Sequence, residues 1–226
     1  MNTNKPPLLV IPAYNAAEHL GELIERVFRL YPRRNILVIN DGSSDNTARI
    51  LHEQGVKQIT FACNRGKGAA LLAGYCRAQA LGYTAVISMD ADLQHTPEEI
   101  ISLIDAHRRQ PSAVIIGSRM SDPRSMPQPR RLSNNLTSLI VSIFSGRRIR
   151  DTQSGFRLVP LCLMRGMSVR SQGFALESEI AFNLGMRGAV FRDVPISVIY
   201  RGTPSHIHPL FDTLRFAALI WRRLWR

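Results

Sequence analysis

Long apolar runs are missing from this 226-residue chain. A helix that crosses a bilayer needs about 18 or more apolar residues in succession, and no such run exists, so no membrane span is expected. Residues 1–7 are polar and the next apolar run is short, so no export signal is expected either. Cysteine is scarce: Cys63, Cys76 and Cys162 are odd in number and have no C-x-x-C spacing. That argues against a disulfide frame or a zinc site and fits a reduced, cytosolic protein. Low-complexity tracts and internal repeats are absent. Gly66-Lys67-Gly68 is not a phosphate-binding P-loop, because Phe61 stands where its first glycine belongs. No G-x-G-x-x-G occurs, which argues against a dinucleotide cofactor.

What is present is an ordinary globular composition, 45% hydrophobic and 20% charged, long enough to bury a sizeable core in one large domain or a domain with an appendage. The net charge of +12 is unevenly placed. Residues 1–113 carry 12 Lys and Arg against 11 Asp and Glu, whereas residues 114–226 carry 17 against 6, and all 17 are Arg. The guanidinium fork suits phosphate oxygens, so this half points to phosphorylated substrates, anionic lipid or nucleic acid. A merely solubilising surface is the plain alternative.

Residues 85–99, AVISMDADLQHTPEE, set the frame for the rest. A strand over 85–89 runs into Asp90-Ala91-Asp92, and a helix over 97–107 follows with Thr96 as N-cap. Alternate residues of an extended segment point the same way. Asp90 and Asp92 can thus present two carboxylates side by side, a set that suits a hard divalent cation; an acidic surface turn would look the same. Four other apolar strands are expected at 8–11, 36–39, 59–61 and 113–116. Helices are expected over 20–28, behind a capping-box-like Asn15-Ala-Ala-Glu18, and over 47–54 and 67–81. This α/β alternation predicts a Rossmann-like, mostly parallel central sheet with helices on both faces. Such sheets bind ligands beyond the carboxyl ends of their strands. Asn15, Asp41, Asn64 to Lys67, Asp90 with Asp92, and Arg119 all fall there, which predicts one shared nucleotide site.

Four segments in this order, PAYNAAEHL (12–20), VINDGSSDNT (38–47), NRGKGAAL (64–71) and SMDADLQH (88–95), resemble family 2 glycosyltransferases of the GT-A fold. GSR (117–119), RRLSNN (130–135), DTQSGFRL (151–158) and FALESEI (174–180) resemble the polyprenyl-phosphate branch of that family, which includes the dolichol-phosphate mannose synthases. Each motif is weak alone; together they are specific. The resemblance implies a GT-A domain over residues 1–205, with a nucleotide-sugar half to about residue 120 and an acceptor half from 121 to 205. It implies inverting transfer from a UDP- or GDP-linked sugar with Mg²⁺ or Mn²⁺. Asp41 matches the acid that reads the nucleotide, and Pro12, Tyr14, Asn15, Lys67 and Ala91 match the same pocket. Asp90 and Asp92 match the metal pair, assisted by Gln94. Arg119 matches a phosphate-binding arginine, and Arg130 or Arg131 a second. Glu179, in preference to Glu177, matches an acid facing the site, and Arg201 a basic residue near the diphosphate. Charge developing on a diphosphate leaving group is what a metal and arginines would stabilise.

Residues 122–131, with three prolines, are expected to form an irregular loop. Leu132, Leu136, Leu139, Ile140 and Ile143 then repeat at helical spacing, opposite a Ser/Thr/Asn face; the helix either packs on the core or lies at a membrane interface. Arg147, Arg148 and Arg150 suit a lipid phosphate. Asp151 is the expected base if the acceptor is a hydroxyl. A phosphate acceptor, with a second pKa of about 6, needs little help, and Asp151 would then be free to pair with Arg150 or Arg157. Ser154 and Arg157 flank a tight turn suited to holding sugar or acceptor phosphate. A helix over 177–184 and short strands at 189–191 and 196–200 follow. Where the lipid-phosphate relatives often carry Ser-Lys, this chain has Ser205-His206-Ile207-His208, and two histidines with no third ligand predict no metal. Residues 206–226 end in a basic, Trp-bearing amphipathic helix, expected either to bind a membrane surface or to pack on the domain or a dimer.

These expectations combine into a transferase acting on a lipid-linked acceptor, peripheral on the cytoplasmic face of the cell membrane and in contact with anionic lipid. A hydroxyl acceptor on a glycan or lipid-like metabolite is the alternative. A nucleic-acid partner is not expected, since it would leave Asp41, Asp90 and Asp92 facing phosphates without a role. Oligomeric state is left open.

Overall fold

The computed structural model describes residues 5–121, 126–169 and 175–199. In chain order the elements are β1 (Leu8–Ala13), α1 (Ala17–Leu30), β2 (Ile36–Asn40), α2 (Thr47–Glu53), β3 (Gln58–Thr60), α3 (Lys67–Ala80) and β4 (Ala85–Ser88). They continue with α4 (Ile100–Arg109), β5 (Val114–Ser118), α5 (Gln128–Ser145), β6 (Arg157–Pro160), α6 (Ala175–Met186) and β7 (Phe191–Pro195). One seven-stranded sheet holds them in the order β3-β2-β1-β4-β6-β5-β7. Every pairing is parallel except the two made by β6, which runs antiparallel between β4 and β5.

The sheet is buried on both faces because its strands are apolar at successive positions. Along β1, Leu8 and Val10 face a core shared with Ala70, Leu71 and Tyr75 of α3 and Ile180 of α6. Leu9 and Ile11 face the other core, with Leu20, Leu23, Ile24 and Val27 of α1 and Leu103 of α4. Gly74 of α3 is required by this packing: a Cβ there would lie 2.4 Å from Val10 Cγ1. The helix therefore rides close enough to β1 to bring its first residue, Lys67, over the carboxyl ends of β1 and β4.

The structure corrects several expectations. β6 was not foreseen, because a four-residue strand that opens on an arginine and ends on a proline carries no apolar pattern. In place of the strands expected at 189–191 and 196–200 there is one edge strand, β7, which shares only Phe191 with them and whose Arg192 and Asp193 are exposed; among the described residues beyond it, Val198 makes an isolated bridge to His95. Residues 128–131 are not loop but the first turn of α5, where Pro129 is tolerated because that N–H has no helical partner. Asn15 does not cap α1. It takes a left-handed conformation, φ +48°, and the amides at the start of the helix are met from the entry to α2: Ala16 N donates to Thr47 Oγ1 and Ala17 N to Asp45 Oδ2.

Candidate active site

The chain leaves β4 through Met89 and turns at Asp90-Ala91-Asp92. Asp92 Oδ1 accepts from Gln94 N at 3.0 Å, with Leu93 at φ +54° closing the turn. Gln94 is fixed further by its carbonyl, which accepts from Ile199 N at 2.9 Å. Behind Asp90 the loop leading into β6 comes so close that a Cβ on Gly155 would lie 2.7 Å from Asp90 Oδ2 and push the carboxylate aside. Ser88 Oγ donates to Gly155 O at 2.8 Å and holds that approach. Burial opposes ionisation of both acids. For Asp90 the Lys67 ammonium more than offsets burial and the pKa is lowered. For Asp92, burial together with the Asp90 charge holds it above the usual range.

Lys67 stands between two acids. Its Nζ lies 2.7 Å from Asp90 Oδ1 and also donates to Glu177 Oε1. Burial alone would lower the ammonium's pKa, but the two carboxylates raise it above its ordinary value, so the group is charged. Glu177 is thus joined to the carboxylate cluster through Lys67, and Glu179 is fully buried. On a helix, residues two apart point in different directions, and the preference for Glu179 rested on the resemblance alone. His95 lies beside the same cluster, at a position no local pattern marks. It is buried with its ring 5.4 Å from Phe156, and burial pushes its pKa down to about 4.

A cavity of about 440 Å³ runs from this cluster across the ends of β1 and β2, lined by Pro12, Tyr14, Asn15, Asp41, Lys67, Asp90, Ala91 and Asp92 among others. The expected nucleotide-sugar residues therefore share one cavity. Its far end is laced by short bonds. Asp41 is buried, and its Oδ1 accepts from Arg65 N at 2.7 Å. Asn15 Oδ1 accepts from Ser44 N at 2.9 Å, and Asn15 N donates to Ser43 Oγ at 3.0 Å. Gly42, at φ +68°, sits where a Cβ would lie 2.4 Å from the Cys63 carbonyl carbon. A second cavity, about 450 Å³ between α4 and β7, holds none of the expected site residues.

On the other side of the carboxylates, Arg119 clasps Asp151. Its Nε donates to Oδ2 at 3.1 Å, its Nη2 to Oδ1 at 2.9 Å, and its backbone N to Oδ2 at 3.1 Å. Asp151 is fully buried; burial opposes its ionisation, but the Arg119 charge overcomes this and lowers the pKa. Its partner is thus neither Arg150, which lies 3.8 Å from Asp193, nor Arg157. Arg157 is buried with its guanidinium donating to the carbonyls of Ser154, Glu177 and Thr152, and Ser154 Oγ donates to Gly117 O at 2.7 Å. Both residues frame the 151–157 loop instead of facing the cavity. Arg130, half-buried, and Arg131, exposed, share the first turn of α5. Arg201, the histidine pair and the amphipathic tail lie outside the described residues.

The sequence matches the family described as Glycosyl transferase family 2 over residues 8–172. The chain belongs to that family. Among curated relatives, it is 27% identical over 214 residues to the UDP-N-acetylglucosamine–dolichyl-phosphate N-acetylglucosaminyltransferase of Methanococcus voltae, covering 85% of each chain. It is 28% identical over 205 residues to the undecaprenyl-phosphate mannosyltransferase of Micrococcus luteus, covering 86% of this chain and 84% of that protein. Among solved structures, glucosyl-3-phosphoglycerate synthase of Mycobacterium tuberculosis in complex with Mn²⁺, UDP and phosphoglyceric acid superposes with a TM-score of 0.72 at 15% identity, over 98% of this chain and 78% of that one. Mannosyl-3-phosphoglycerate synthase from Rubrobacter xylanophilus gives 0.71 at 18%, over 96% and 74%. The fold of this family 2 glycosyltransferase is therefore GT-A.

The donor set of the transferase suits a divalent cation. Asp90 and Asp92 would hold it, with Gly155 making room for the first. Among the described residues no group of three His, Cys, Asp or Glu could enclose a metal. Two carboxylates on an open cavity match a cation that takes its other ligands from water and a diphosphate.

Proposed function

We propose that the protein is a metal-dependent, inverting glycosyltransferase that moves sugar from a UDP- or GDP-linked donor to a polyprenyl phosphate at the cytoplasmic face of a membrane. The observation that carries the acceptor half is that α5 buries a row of polar residues and exposes much of its apolar stripe, while Ile140 and Val141 pack on the core. Its Ser133, Asn134, Thr137 and Ser138 are buried, while Leu132, Leu139 and Ile143 are 62%, 57% and 65% exposed. The buried face is hydrogen-bonded to the loop that carries Asp151: Thr152 N donates to Ser138 Oγ at 3.1 Å, and Gln153 Nε2 to Ser133 Oγ at 3.1 Å. An apolar stripe facing outward, ending beside Arg147, Arg148 and Arg150, suits the acyl–headgroup boundary of an anionic membrane. No helix among the described residues is long and apolar enough to cross a membrane, so the attachment we propose is peripheral.

Asp151 supports a phosphate acceptor over a hydroxyl. Both its oxygens accept from Arg119, and a carboxylate held ionised in this way is a poor proton acceptor. A phosphate oxygen, already anionic near neutral pH, needs no base: it attacks the anomeric carbon as the bond to the diphosphate breaks, with inversion. Asp41, buried at the far end of the cavity, holds the nucleotide. Lys67 and Arg119 bring positive charge to the two sides of the carboxylate pair, where the diphosphate gains charge. A bound Mg²⁺ or Mn²⁺ supplies Lewis-acid stabilisation of that leaving group. The test gives the full chain UDP- and GDP-sugars, Mn²⁺ and vesicles of either polyprenyl phosphate or the free polyprenol. Nucleoside diphosphate is expected only with the phosphate. Release with the alcohol alone would overturn the acceptor assignment.

A further inference from the structure

Lys67 and a divalent cation would compete for the same carboxylate. Lys67 Nζ lies 2.7 Å from Asp90 Oδ1, and a cation held by Asp90 and Asp92 would sit against that carboxylate too. Two positive charges within a few ångströms in a part-buried site repel strongly, so one must give way. The lysine can: its flexible four-carbon stem opens α3, preceded by Gly66 at φ +87°, and its side chain is 31% exposed toward the nucleotide cavity. Glu177, only 6% exposed and bonded to the same ammonium, restrains it from the side away from that cavity.

We propose that Lys67 is a movable counter-ion of Asp90: a cation binds Asp90 as Lys67 shifts toward the incoming diphosphate, while Glu177 is the positioning residue that keeps the ammonium within reach of both. Cation and nucleotide then bind with positive coupling, and by linkage each strengthens the other equally. This rests on the metal-dependent transferase reading above. Glu177 has a definite part. It shares the ammonium with Asp90, so its loss leaves Lys67 leaning on Asp90 alone and harder to displace.

The test is Mn²⁺ affinity of the full chain, read from the electron paramagnetic resonance signal of free Mn²⁺, with and without saturating UDP or GDP. Without nucleotide, Lys67→Met is expected to bind Mn²⁺ more tightly by about tenfold or more, since a competing charge is gone. Glu177→Gln is expected to bind it several-fold more weakly. A lysine needed only for folding predicts no such opposite pair; unchanged or weaker Mn²⁺ binding by a folded Lys67→Met overturns the proposal. If that variant does not fold, Lys67→Gln and Glu177→Gln decide by the same signs. Should the wild type bind no Mn²⁺ with either nucleotide, the metal-dependent reading itself fails and this proposal with it, an outcome distinct from wrong signs in the variants.

Discussion

Asp151 is the residue at which charge and burial can be separated. It is fully buried and held by three bonds from Arg119, and its folded-state pKa lies below the ordinary value because the guanidinium outweighs burial. An acid depressed in the folded state contributes stability above its unfolded pKa, about 3.9, and loses it as pH falls through the lower folded value. Asp151→Asn keeps the shape and one acceptor but strands the arginine, which typically costs about 3 kcal/mol or more. Thermal melts should therefore show a large gap between wild type and variant at pH 7, narrowing once the pH drops below about 4. A gap of constant size down to pH 3 would remove the charge argument. The sequence singled out Asp151 yet paired it with its neighbours in the chain; Arg119, 32 positions away, is adjacent only because β5 and β6 are paired. Asp90, Asp92 and Asp41 were legible for the opposite reason. Each stands at the end of an apolar run, so local pattern alone places it at the carboxyl edge of the sheet.

Among the elements, α5 shows what periodicity can and cannot say. The spacing of Leu132, Leu136, Leu139, Ile140 and Ile143 predicts a helix, and a helix is there, but spacing cannot say which of these residues face inward, as Ile140 does. Ordinarily the apolar face is inside, since burying polar groups without partners is costly. Here the partners exist: Ser142 Oγ accepts from Ile149 N at 3.0 Å, and the hydroxyls of Ser138 and Thr152 bond each other at 3.1 Å. Replacing Leu139 and Ile143 together by Glu should therefore change stability by no more than about 0.5 kcal/mol per site while abolishing flotation with anionic vesicles. Ser138→Leu, on the buried face, should instead destabilise by about 1–3 kcal/mol through overpacking and orphaned partners. A large loss of stability from the Glu pair would mean that the stripe packs on protein, and retained flotation would move the membrane contact elsewhere. β6 escaped notice on similar grounds. Arg157 opens it and is buried, and only the carbonyls of Ser154, Thr152 and Glu177 make that tolerable, none of which a local pattern can announce.

At the scale of the molecule, the antiparallel β6 decides whether the nucleotide half can exist alone. The halves differ sharply in charge, near neutral before residue 114 and strongly basic after it, which reads like two units joined in series. The sheet is not divided that way. β6 lies between β4 and β5, pairing Val86 with Val159 and Ile115 with Leu158, and β7 flanks β5 on its other side. Among the described residues both partners of β5 thus come from beyond residue 156. α6 adds Leu176, Ile180 and Leu184 to the core that includes Val114 and Ile116. A fragment of residues 1–121 would keep the β3-β2-β1-β4 block and most of the nucleotide cavity, but β5 would have nothing to pair with, Asp90 would lose the Gly155 backing and Lys67 would lose Glu177. Leaving backbone donors and a core face open to water at both β4 and β5 removes the basis for cooperative folding. The fragment is expected to lack a cooperative thermal transition and to lose near-UV circular dichroism, and adding UDP or GDP with Mn²⁺ should restore neither. A fragment that melts cooperatively and binds nucleotide would show instead that the donor half carries its own core, with β6 serving only to attach the acceptor half.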